Sequence, residues 1–159
     1  MDKIREEKYQ KYDDEFLMFG LLFVLGNKLQ VIGDSFYEEI TSKQWFVLVM
    51  LGVLGDNPTL NELSEGMGSS HQNVKQLLVK LQEKGYVQLY NDDLDRRKTR
   101  IRMTEKCQEL AQKYNEREHL FMKSIYQGID KEKIMITIET LLQFEHNLEG
   151  LKDESNRNL

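Results

Sequence analysis

The stretch SSHQNVKQLLVKLQEKGYVQLYNDDLDRRKTRIRMT, residues 69–104, changes its hydrophobic period part-way along. Val74, Leu77, Leu78 and Leu81 recur at i, i+3, i+4 and i+7, the stripe of a helix with one buried face. Ser69-Ser70-His71-Gln72 has the Ser-x-x-Gln form of a capping box that opens this helix, and Gly85 stops it. Tyr86, Val87, Leu89 and Tyr90 then suit a short strand. Thr99-Arg100-Ile101-Arg102-Met103 alternates polar and apolar, as a half-exposed strand does. Asn91-Asp92-Asp93-Leu94-Asp95 is a polar turn between them, so the two strands make a hairpin.

Upstream, two more capping boxes divide the chain. Thr41-Ser42-Lys43-Gln44 opens a helix through Leu54, with Trp45, Leu48, Val49, Leu51 and Leu54 as its buried side. Gly55-Asp56-Asn57-Pro58 is a breaker. Thr59-Leu60-Asn61-Glu62 opens a short helix with Leu60, Leu63 and Met67 inward, and Gly68 ends it. Residues 3–32 read as one long helix, because Tyr12, Phe16, Phe19, Phe23 and Leu22, Leu25, Leu29 recur at spacings of three and four. A connector follows around Ile32 to Ile40. Downstream, Thr104 is placed to cap a helix over roughly 105–128, with Leu110, Ala111, Tyr114, Phe121 and Ile125 apolar. Gly128 and Asp130 break it. A last helix over about 131–150 carries Ile134, Ile138, Leu141, Leu142, Leu148 and Leu151, and 152–159 reads as a frayed polar tail.

The expected fold class is mainly α with a small β-hairpin wing. Two short helices joined at Gly68, with a hairpin directly after the second, form a winged helix-turn-helix over residues 41–104. Residues 1–40 and 105–151 flank it as helical extensions with unpartnered apolar stripes.

The chain is 159 residues long with a net charge of −5. That charge is uneven. Residues 71–102 hold eight basic and four acidic side chains, whereas the rest holds 14 basic and 23 acidic ones. A basic face on an acidic body favours a polyanion more than the total charge implies. A solvated surface is the plainer reading of the same charges. No apolar run approaches the roughly 20 residues of a membrane-spanning helix; the longest, Phe16 to Leu25, contains Gly20. The charged start Met1 to Glu7 has no apolar export core, so the chain is expected in the cytoplasm without a membrane partner. A single cysteine, Cys107, excludes an internal disulfide.

In a winged helix-turn-helix the second helix enters the major groove, and residues near its N-terminus meet base edges. Those residues here are Ser70, His71, Gln72, Asn73, Lys75 and Gln76. Gln and Asn pair bidentately with adenine, and Lys with guanine. Lys80 and Lys84 lie further along, where phosphates are the expected partners. Arg96, Arg97 and Lys98 sit at the hairpin tip, suited to a narrow minor groove with its enhanced negative potential. Asp95 is placed to hold the Arg97 guanidinium in one direction. The alternative reading is an ordinary polar helix start beside a surface turn.

Residues Thr41 to Ala111 resemble the MarR family of bacterial and archaeal transcriptional regulators. The resemblance rests on Thr41-Ser42-Lys43-Gln44-Trp45, Leu60-Asn61-Glu62-Leu63-Ser64 and Asn73-Val74-Lys75. It continues through Leu81-Gln82-Glu83-Lys84-Gly85-Tyr86-Val87, then Asp95-Arg96-Arg97 and Met103-Thr104. The flanking helices fit by order and length only. Where the family has Gly three residues after the Thr that closes the wing, this chain has Cys107. The resemblance implies a homodimer whose first and last helices intertwine, so that two wings face one double-stranded pseudopalindromic operator. It implies Arg97 in the minor groove, oriented by Asp95. It also implies a repressor released by a small aromatic effector, for which Phe19, Phe36, Tyr37, Trp45 and Tyr114 are the candidate lining. Aromatics at helical spacing are also what a core requires.

Four further readings stand beside this one. Cys107 follows Lys106 in the first turn of a helix, a setting that lowers a thiol pKa, which would suit a thiol-responsive regulator; a buried inert cysteine is the plainer reading. His119, Glu116 and His146 lack the tight spacing of a metal site, so no metal and no cofactor is expected. No Gly-rich phosphate loop, nucleophile elbow or His-Glu metal helix occurs, and Glu38-Glu39 are sequence neighbours that do not face each other, so no enzymatic role is expected. A winged module used only for protein contact predicts weak, salt-insensitive association with DNA.

Overall fold

The computed structural model describes residues 12–157, with side chains through Leu151. The order is α1 (Asp14–Asp34), α2 (Ser42–Leu54), α3 (Leu60–Gly66), α4 (His71–Glu83), β1 (Val87–Asn91), β2 (Thr99–Met103), α5 (Glu105–Ile125) and α6 (Lys131–Arg157). The chain separates into two compact units at Ala111.

Local signals set most boundaries in the first unit. Thr41 and Thr59 each accept a bond from the N3 backbone N–H, while Gln44 and Glu62 reach back to the cap N–H, so both capping boxes close. Such boxes satisfy two otherwise orphaned donors. Gly68 and Gly85 have φ of +57° and +80° and end α3 and α4 in the same way. At each, the next residue's N–H returns to a carbonyl five residues back, Ser69 to Ser64 at 3.0 Å and Tyr86 to Leu81 at 2.9 Å. This left-handed closure favours glycine, which has no Cβ to strain. The third box expected at Ser69–Gln72 does not form. Ser70, not Ser69, caps α4 by accepting from the Asn73 N–H, and Asn73 Nδ2 donates to Ser69 Oγ at 2.9 Å.

Val47, Leu48, Leu51, Leu63, Val74, Leu78, Leu81, Val87 and Ile101 form the core of this unit. The hairpin pairs antiparallel with Val87 opposite Met103 and Leu89 opposite Ile101. Alternation therefore turns Leu89 and Ile101 to one face, and Tyr90 and Arg100 to the other. On α2 the buried face is Gln44, Val47, Leu48 and Leu51. Val49 and Leu54, expected inward, are exposed. This helix is apolar on nearly every side, so periodicity could not choose the face; the capping geometry at Thr41 and Gln44 chooses it.

The remaining differences lie in the long helices. The part of the first helix expected over residues 3–11 lies outside the described residues, and Tyr12 and Asp13 precede α1, which runs on to Asp34. Contrary to the sequence reading, α1 is long and apolar enough to cross a membrane by length and composition. The apolar run ends at Gly26, Asn27 and Lys28, but Lys28 is the one charge between Phe16 and Gly33, so the helix as a whole stays apolar. No residue of α1 is buried. In the second unit, α6 continues through Arg157 rather than fraying from Lys152.

Thr104 does not use its side chain to cap α5. Its hydroxyl donates to the Gly85 carbonyl at 2.8 Å, and its N–H donates to the Tyr86 carbonyl at 3.1 Å. The residue thereby pins the end of the hairpin to the end of α4.

Candidate nucleic-acid interface

Helix α4 is amphipathic. Val74, Leu78 and Leu81 are buried, whereas Ser70, His71, Gln72, Asn73, Lys75, Gln76 and Lys80 are exposed. Core packing fixes the inward stripe, which leaves this polar set pointing out at and beyond the capped N-terminus. Asn73 differs from the others in that its amide is drawn back onto Ser69. Lys84 does not join the phosphate-facing set expected for it. Its ammonium donates to the Glu39 carbonyl at 2.6 Å and to Gln44 Oε1 at 3.2 Å, fastening the end of α4 to the start of α2.

The wing presents Arg96, Arg97 and Lys98, all exposed. Asp95 Oδ1 accepts from both the backbone N–H and Nε of Arg97, each at 3.2 Å. The Arg97 side chain is 92% exposed, so this pair directs a guanidinium rather than stabilising the fold.

The organiser of the turn is a residue that the sequence reading placed in the polar turn and gave no role. Asp92 is 6% exposed. Its Oδ1 accepts from the N–H groups of Leu94 and Asp95, both at 2.9 Å, and its Oδ2 accepts from Arg100 Nε. These bonds, the Arg100 guanidinium first, hold the Asp92 carboxyl at about 2. The available signal was positional: Asp at the start of a polar turn bonds backbone N–H groups two and three residues on.

Among the expected effector-site residues, the structure brings Phe36, Tyr37 and Trp45 together. Tyr37 meets Phe36 edge-on at 4.8 Å between centroids and stacks on Trp45 at 6.2 Å. Phe19 pairs instead with Phe23 along α1, at 5.1 Å. Tyr114 is buried and belongs to the second unit. A crevice of about 300 Å3 lies elsewhere, lined by Leu60, Lys75, Leu78, Leu89, Tyr90, Asn91 and Thr99. Cys107 is buried, and burial pushes its thiol pKa up, opposite to the shift that reactivity needs. Among the described residues, no three His, Cys, Asp or Glu side chains form a metal-binding group.

Residues 39–98 match the model of the MarR family. Over these residues the winged helix-turn-helix of this chain is similar to the MarR family. Solved structures extend the likeness beyond the module. A MarR/EmrR family transcriptional regulator from Acinetobacter sp. ADP1 matches with a TM-score of 0.76 at 18% identity, over 87% of this chain and 99% of that one. The S. aureus MepR–DNA complex matches at 0.71 and 20% identity, over 80% and 95%. PcaV from Streptomyces coelicolor, solved with its natural ligand, matches at 0.69 and 16% identity, over 79% and 89%. The fold of this chain is therefore like that of these winged-helix regulators over about four fifths or more of its length.

Proposed function

We propose that this chain is a sequence-specific DNA-binding transcriptional regulator, acting in the cytoplasm as a homodimer on a pseudopalindromic operator. The observation that carries the reading is the pairing of two exposed surfaces on one rigid lobe: the polar leading end of α4 and the Asp95-directed Arg97 on the wing. The first suits base edges in a major groove, the second a neighbouring minor groove. That S. aureus MepR was solved on DNA supports the reading.

The dimer would place two reading helices about one helical turn apart, roughly 10 bp. The apolar surface of α1 is its natural contact. Phe16, Phe23 and Val31 are 72%, 62% and 72% exposed, a large apolar area for one chain to leave in water. A membrane is the other class of partner for such a helix. The fastening of its last turn to α2, through Asp34 and Ser42, favours a protein partner, because it anchors that end of the helix in the winged lobe.

Repression, with release by a small aromatic effector, completes the proposal. PcaV with its natural ligand supports the effector part. The cluster of Phe36, Tyr37 and Trp45, at the joint between α1 and α2, is where an aromatic ligand would disturb the lobe's attachment.

The test is titration onto the DNA upstream of the chain's own coding sequence at two salt concentrations, then with phenolic compounds added. Log affinity should fall steeply with log salt as phosphate contacts release counterions. Gln72→Ala should cost about 1–3 kcal/mol at the cognate base and little on other sequences. Weak binding indifferent to salt would replace this reading with a protein-contact module.

A further inference from the structure

We propose that Arg100 is a positioning residue for DNA binding: clamped between Asp92 and the α2–α3 loop, it holds the wing so that Arg97 reaches the duplex. The proposal rests on the DNA-binding reading above and deepens it.

The wing loop has its own internal frame. Asp92 N–H donates to the Lys98 carbonyl at 3.0 Å, and Lys98 N–H donates to the Asp95 carbonyl at 2.8 Å. With the two bonds from Leu94 and Asp95 to Oδ1, the turn closes around the Asp92 carboxylate. This frame fixes the shape of the turn but not its direction relative to α4. A two-stranded hairpin alone is marginally stable and twists freely. Something must tie the turn to the lobe.

Arg100 supplies that tie. Its Nε donates to Asp92 Oδ2, and its Nη1 donates to the Asn57 carbonyl at 3.0 Å. Asn57 and its neighbour Asp56 have φ of +52° and +37°, a left-handed bend that turns the loop before α3. The same strand is seated there by its backbone: Ile101 N–H donates to the Pro58 carbonyl at 3.0 Å, and Arg100 bridges Thr59. One planar guanidinium therefore joins the wing turn to the loop that leads into the helix-turn-helix. A fork of fixed geometry serves this purpose where a lysine, a single point charge, would not.

The clamp has a second effect. Asp92 lies in the basic wing and, unpaired, would repel a phosphate backbone. Its carboxyl is held at about 2, so it stays ionised at any working pH, and Arg100 supplies the neutralising charge beside it. Glu62 adds a second negative charge toward the same guanidinium.

The test is a double-mutant cycle between Arg97 and Arg100, on a duplex enriched from a random library by the wild-type protein. Arg97→Ala and Arg100→Gln should each weaken binding about tenfold. The pair together should weaken it little more than either alone, since Arg100 acts through Arg97. Hydroxyl-radical protection of the minor groove under the wing should vanish in Arg100→Gln, while methylation protection of the major groove under α4 remains. Arg100→Lys keeps the charge and loses the fork; it should fold as the wild type does and show the same selective loss. If Arg97→Ala weakens binding but Arg100→Gln and Arg100→Lys do not, or if the effects add in full, the positioning role is wrong and the DNA reading stands. If no duplex is enriched, or Arg97→Ala binds as wild type, the wing reading itself fails and the proposal falls with it.

Discussion

The carboxylate of Asp34, the last residue of α1, accepts two bonds from Ser42, the first residue of α2: from its N–H at 2.8 Å and from its hydroxyl at 2.7 Å. An Asp is unfavourable at the end of its own helix and favourable at the start of the next, where N–H groups lack partners and the dipole is positive. Asp34 therefore stabilises the joint between two helices at the cost of the one it belongs to. The Ser42 bonds pull its pKa below the ordinary carboxylate value.

This joint leaves no room. A Cβ on Gly33 would lie 2.7 Å from Ser42 Cβ. Gly33→Ala is expected to push the helices apart, break the Asp34 contacts and destabilise the protein by about 1–3 kcal/mol, as overpacking does. Ser42→Gly removes the clashing atom, so the double variant should be less destabilised than the sum of the singles. Thermal unfolding of the four proteins checks this; additive losses would show that the Gly33–Ser42 approach is not what limits the site.

What the sequence revealed and what it concealed divide along this line. Thr41–Gln44 and Thr59–Glu62 are local, reciprocal and three residues apart, so both capping boxes were legible, and with them the helix-turn-helix. The alternation of β2 was legible residue by residue, and Asp95–Arg97 from proximity. Lys84, Arg100 and Asp34 were not. Each acts on a partner that folding brings near: Lys84 on Glu39, Arg100 on Asn57, and Asp34 on Ser42. Residue type says that such a side chain seeks a partner, but the partner is set by tertiary packing. Ser70 shows a subtler limit. Ser69 and Ser70 are both good caps, and only the closure of the Gly68 turn decides between them.

Acid should loosen the wing. The Asp92 carboxyl lies at about 2 in the folded chain, against an ordinary value of 3.8. A depressed folded pKa means that ionised Asp92 stabilises the fold at all pH above the ordinary value. The contribution declines as pH falls through about 4 and is gone below about 2. Stability should therefore rise with pH across that window and be flat in this respect at neutrality. In Asp92→Asn the acid-side slope should be shallower by the share of one proton. An unchanged slope, measured by denaturant unfolding between pH 2 and 5, would remove Asp92 from the account.

Cys107 should behave as a packed side chain. It is buried, and burial raises its thiol pKa. Alkylation by iodoacetamide at neutral pH should be many times slower in the folded protein than in denaturant, and peroxide should leave DNA affinity unchanged. Fast labelling of the folded protein, with a midpoint below the ordinary thiol value, would restore the thiol-responsive reading.

The exposed aromatic residues of α1 make the strongest demand on oligomeric state. Phe16 and Phe23 are one heptad apart and both more than half exposed, so they share a face. In a two-fold dimer each residue is buried twice. Burying a Phe contributes about 1.5–3 kcal/mol. Phe23→Asp should thus raise the dimer dissociation constant by about two to four orders of magnitude. Sedimentation equilibrium should find the wild type dimeric and Phe23→Asp largely monomeric at micromolar concentration. The variant should also bind single half-sites no worse than the wild type, because the α4 and wing surfaces are untouched. If the wild type instead sediments as a monomer and floats with phosphatidylcholine vesicles, the apolar face of α1 faces lipid, and the two-headed arrangement on DNA has no support.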